Sequence, residues 1–144
     1  MLLQQLNRSD AEKVFVIAQN VSGATASQGH LACWDPRAAT ASLGNAVTSP
    51  VTSNLKAFAG VFDADTSSDA YGLVQVFGFR SSIAVAAAGI NNAVLSAAGF
   101  MLGPITGQNS ASSSYAGSAG GIGIACMDFA VSNTGWAAGL IRAL

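Results

Sequence analysis

Side chains able to do chemistry are sparse in this 144-residue chain, and their spacing does not converge on a reaction. His30 is its one histidine, and Cys33 and Cys126 are its two cysteines. Structural zinc needs four Cys or His ligands, commonly with a C-x-x-C pair, so this trio points to a turn histidine and two free, buried thiols. Asp63, Asp65 and Asp69 offer oxygens at alternate positions, as the first part of an EF-hand loop does. The sixth position is Ser68 rather than Gly and the twelfth is Val74 rather than Glu, so the segment reads as a polar turn between strands. Ser, His and Asp all occur, but no G-x-S-x-G elbow singles out one of the 17 serines as a nucleophile. Gly117 to Gly123 lacks the Lys-Ser/Thr ending of a phosphate-binding loop and precedes a strand rather than a helix. The expectation is a non-enzymatic chain with no metal and no cofactor.

Composition narrows the classes further. Charged residues make up 9% of the chain and the net charge is −1, which cannot build the basic stripe that nucleic acid binding requires. Hydrophobic residues reach 51%, and 28 Ala, 16 Gly and 17 Ser make the chain rich in small side chains. Soluble domains carry about 25% charged residues, so a chain with so few is either embedded in lipid or covered by other subunits. The best lipid candidate is 83–102, which has the length of a spanning helix and no charge. Asn91 and Asn92 at its centre, and its Ala, Gly and Ser content, argue against that use. The start, MLLQQLNRSDAEK, has no basic leader followed by an apolar run, so a cleaved export signal is not expected.

These side chains need elements to position them, and the pattern predicts strands. KVFVIAQ at 13–19 is rich in β-branched residues, which outweighs a capping-box match at Ser9 to Glu12. GHLACWD at 29–35 is a second apolar run, stopped by Pro36, and 37–54 reads as a long connection. LKAFAGVF at 55–62 places Leu55, Ala57, Ala59 and Val61 on one face and Phe58 and Phe62 on the other. YGLVQVFGFR at 71–80 alternates most clearly, with Gly72 and Gly78 on one face as shape devices for close packing. A further strand is expected at 82–87, a broken strand entry at 100–105, a flexible arm around Tyr115 at 108–121, and closing strands at 122–131 and 138–143. The expected fold is all-β: residues 1–12 as an N-terminal arm, then 13–144 as a single small β-sandwich or barrel with long Ala, Gly and Ser-rich loops. Strands 13–19, 55–62, 71–80 and 122–131 would form its core.

Three stretches together resemble the small head decoration, or cement, proteins of tailed bacteriophages: KVFVIAQNVSGATASQGHLACWD at 13–35, FAGVFDADTSSDAYGLVQVFGFR at 58–80 and LIRAL at 140–144. The resemblance rests on Asn20, Ser22, Gly23, Ala24, Thr25, Trp34 and Asp35 in the first block, and on Gly72, Val74, Gln75, Val76 and Gly78 in the second. It implies a subunit made in the host cytoplasm that ends on the capsid exterior of the virion, binds the major capsid protein, often as a homotrimer, and clamps its neighbours. The apolar Met1, Leu2, Leu3 and Leu6 would be an adhesive arm, with Trp34, Tyr115 and Trp136 as further interface residues. Two other readings remain open. One is a receptor- or glycan-binding β module of a tail or fibre that uses Trp34, Tyr71 and Tyr115; the other is a small membrane protein spanning near 83–102.

Overall fold

The computed structural model describes residues 12–37, 44–51, 53–54, 57–85, 95–96, 101–105, 108–112, 123–128, 130–131 and 135–143. The described residues are all-β, and their central feature is a closed five-stranded barrel. Its strands are β1 (Val14–Asn20), β2 (Leu31–Trp34), β3 (Ala46–Thr48), β4 (Phe58–Phe62) and the first half of β5 (Tyr71–Val85). They pair in the order β1, β3, β2, β4, β5 and back to β1, with β1 to β3 the one parallel joint.

Five strands enclose a narrow space, which explains the small side chains. The core cluster is Ala18, Ala26, Ala32, Val47, Ala59, Phe62 and Val74, with Val16 and Trp34 packed against it. Each large apolar side chain taken wholly out of water here, such as Phe62, Leu31 or Val47, contributes about 1.5–3 kcal/mol. Simple alternation separates Ala59 from Phe62, yet both reach this core. A register shift between Ala32 and Cys33, opposite a backbone kink at Gly60 with φ of 141°, reverses the facing of β4.

A second ring continues from the first. The later half of β5 pairs with β11 (Gly135–Arg142), β11 with β9 (Gly123–Asp128), β9 with β7 (Met101–Ile105), β7 with β8 (Gln108–Ser112), and β8 with β5 through Val85 and Ala111. Strand order and the position of the one parallel joint repeat the first ring. So does the register: Leu31 with Val61 recurs as Met101 with Ala125, Trp34 with Val47 as Pro104 with Ala111, and Phe62 with Val74 as Cys126 with Gly139. Even the isolated bridge between Ala26 and Thr66 has its match, where Ser96 of β6 (Leu95–Ser96) meets Ala130 of β10 (Ala130–Val131). The described chain is one folding unit built twice, with β5 running through both copies. Ala18 and Ile83 hold equivalent places and are both buried, as are Val74 and Gly139, and Val76 and Ile141.

Several expectations change. The supposed connection 37–54 contains β3, made a strand by pairing on both edges rather than by its composition. Residues 82–85 continue β5 instead of starting a new strand. Gly103 and Pro104 lie within β7, where they pair with β8 alone, beyond the two residues that meet β9, so the missing Pro N–H breaks no ladder there. Residues 108–112 are strand, not arm. The 122–131 segment belongs to the second ring and divides into β9 and β10, so it does not share a sandwich with 13–19, 55–62 and 71–80. Described residues of 83–102 lie in β5, β6 and β7, and no helix among the described residues is long and apolar enough to cross a membrane.

Candidate interaction surface

The outward face of the first ring is built by β1 and β5, whose registers set Ile17 opposite Leu73, Gln19 opposite Tyr71 and Phe15 opposite Gln75. Val16, Ala18, Val74 and Val76 turn inward and the alternate residues lie on the other face, where Gln75 is nonetheless fully buried, bonded to Arg80 and to the Phe77 and Phe79 carbonyls. Ile17 is 65% exposed, Tyr71 58% and Leu73 46%, with Phe15 and Phe77 completing an apolar strip. No charged residue occurs from Val14 to Gln19 or from Tyr71 to Phe79. Apolar residues on both faces of these strands were the sequence signal for this strip. Attention to the apolar N-terminus and to the Trp and Tyr side chains passed over Phe15, Ile17, Leu73 and Phe77.

One end of the ring is tied by Asn20, which is fully buried. Its side-chain amide donates to the carbonyl oxygens of Ala24 at 2.8 Å and Thr66 at 2.9 Å, and its Oδ1 accepts from the Ser22 N–H at 3.1 Å. The two turns at 20–26 and 63–70 are thereby fixed to each other. Asp65 serves the same end, accepting from the Gln28 N–H at 2.7 Å through Oδ1. Asp69, with φ of 63°, gives its carbonyl to the Gln19 side chain. Gly72 is needed because a Cβ there would run into the Thr66 side chain; Gly78, with φ of 105°, lies under the Glu12 carbonyl.

Where the rings join, Arg80 is buried and donates to Asp63 Oδ1 at 2.8 Å, to Gln75 Oε1 at 3.3 Å and to the Ser82 carbonyl at 3.0 Å. A buried guanidinium is tolerated because these acceptors replace water. The loop ahead of β2 then reaches the second ring. The Ala84 N–H donates to the Gly29 carbonyl at 2.9 Å, and the His30 ring stacks on Trp136 with centroids 6.4 Å apart. Burial pushes the His30 pKa below 6.5, and Asp65 partly opposes this. Burial raises the Cys33 thiol to about 12, which keeps it protonated and unreactive.

Of the expected interface residues, Trp34 is half-buried against the first ring's core, and Trp136 is 56% exposed at the junction. Met1, Leu2, Leu3, Leu6 and Tyr115 lie outside the described residues. Asp63, Asp65 and Asp69 are drawn into separate contacts, and among the described residues no three His, Cys, Asp or Glu side chains gather as metal ligands. The arrangement offers an exposed apolar strip on a closed scaffold. Comparison with protein-family models, with curated proteins and with solved structures finds no match to this chain.

Proposed function

We propose that the chain is a non-enzymatic structural subunit of a virion, binding the outer surface of an icosahedral phage capsid and cementing neighbouring major capsid subunits. The observation that carries this reading is the uncharged strip of Phe15, Ile17, Tyr71, Leu73 and Phe77 on a closed scaffold whose core is filled by other residues. Such a surface gains by burial against protein, and weak contacts repeated over a lattice add up through multivalency. The blocks that carry the resemblance also come together: 13–35 and 58–80 supply β1, β2, β4 and half of β5, and Leu140 to Arg142 pair with Phe77 to Phe79. Met1, Leu2, Leu3 and Leu6 would add an adhesive arm to this body.

Copy number in purified phage heads tests the reading. A cement subunit is present in hundreds of copies per head and stays with tailless heads. A handful of copies, located on tail or fibre, would replace this reading with a receptor-binding one.

A further inference from the structure

We infer that Arg80, Gln75 and Asp63 form a lock that fixes the angle between the two rings, closing a hinge at Gly78. Arg80 belongs to the second ring by its backbone, which pairs with Gly139 of β11. Its side chain turns back into the first ring, where it donates to Asp63 Oδ1 at 2.8 Å, to the Asp63 carbonyl at 3.3 Å and to Gln75 Oε1 at 3.3 Å. Its Nε donates to the Ser82 carbonyl, on its own side of the hinge, at 3.0 Å. Gln75 is fully buried, and its amide nitrogen donates to the Phe77 carbonyl at 3.3 Å and the Phe79 carbonyl at 3.1 Å, so one side chain spans Gly78.

The backbone at this point needs such a clamp. Gly78 has φ of 105°, and glycine passes readily between positive and negative φ, so the residue alone does not hold one bend. β5 also changes partners there: β1 pairs with it as far as Phe77, and β11 pairs with it from Phe77 to Val85.

The internal repeat shows that a ring closes without the lock. Leu140 stands opposite Ala125 where the first ring has Gln75 opposite Val61, and Met127 follows Cys126 where Asp63 follows Phe62. Leu140 is exposed, whereas Gln75 is buried under the guanidinium. The polar trio thus stands where β5 passes from one ring to the other, and the ring fold does not call for it. A buried guanidinium gives up more hydration than an apolar side chain of its size, so its contribution here is one defined arrangement of the rings rather than net stability. The contacts of Gly29 and His30 with Ala84 and Trp136 come from a loop away from the hinge, and they follow once the angle is set. The inference is independent of docking on a capsid.

Residual dipolar couplings of the backbone amides test it, because they report the orientation of each ring in a common frame. In the wild type one alignment tensor should fit β1, β2 and β4 together with β9 and β11. The triple variant Gln75→Leu, Asp63→Met, Arg80→Met carries the second ring's own residues and an apolar side chain for Arg80, so none of the three side chains is left as an unpaired polar group. In this variant each ring should keep its own fit, with the two tensors differing about twofold in magnitude. The milder Asp63→Ala, which removes the half-exposed end of the lock, should also need two tensors. A wild type that needs two tensors would overturn the inference. So would a folded triple variant in which one tensor still serves both rings, whatever its melting temperature. If the triple variant does not fold, a single tensor in Asp63→Ala has the same force.

Discussion

His30 of the first ring lies over Trp136 of the second, the two rings 16° from parallel and 6.4 Å apart between centroids. Beside this stack runs the Ala84 to Gly29 hydrogen bond, so a loop of one repeat is held by both side chain and backbone of the other. Trp136→Ala should cost about 1–2 kcal/mol of unfolding free energy, and a double-mutant cycle with His30→Ala should return a coupling of about 0.5–1 kcal/mol. Urea titrations of the four proteins would measure it; strict additivity would mean that the stack does not join the rings.

The stack also predicts a pH dependence. Because burial lowers the His30 pKa from 6.5, the unfolded chain binds more protons than the folded one in the window between the two values. The stabilisation is therefore complete above about pH 6.5 and is lost as pH falls through the folded-state pKa. Protonation would also oppose the hydrogen bond that Nδ1 accepts from the Ser27 N–H. The melting temperature should fall more steeply between about pH 7 and pH 5 in the wild type than in His30→Gln. Parallel curves would contradict this.

Asn20 ties the two turns at the end of the first ring. Replacing it by Ala leaves the Ala24 and Thr66 carbonyls and the Ser22 N–H without their partner, which should cost about 2–3 kcal/mol. Hydrogen exchange should show the loss, with amides of 22–26 and 64–69 exchanging faster while those of β11 hardly change.

Gly78 stands at the crossing between the two halves of β5. Its φ of 105° and the Glu12 carbonyl above it leave no room for a methyl group, so Gly78→Ala should destabilise by about 3 kcal/mol or more. Thermal melts would read this as a drop of many degrees. An unchanged melting temperature would show that β5 does not need this close approach.

Strands with strong β-branched or alternating character were legible in the sequence: 13–19 became β1, 71–80 became the first two thirds of β5, and Gly72 and Gly78 are close-packing positions. The duplication was hidden because the repeats share geometry with few shared residue types. Leu31 answers to Met101, Trp34 to Pro104 and Val74 to Gly139, and pairing rather than side-chain identity carries the resemblance between the halves. β3 was missed because three residues of ordinary composition become strand only when both neighbours arrive. The strip was half legible. Alternation in 71–80 puts Tyr71, Leu73 and Phe77 on one strand face, but Phe15 and Ile17 join them only through the β1–β5 register, and which face turns outward depends on closure of the ring, a non-local event.

The most direct test of the proposed role is to mix the purified protein with expanded, undecorated heads of the phage that, on this reading, encodes it, sediment them, and count the copies bound per shell. Saturation at a symmetry-related number of copies, with decorated heads more resistant to heat than bare ones, is the predicted result. Heads that bind no protein at saturating concentration would contradict the cement function.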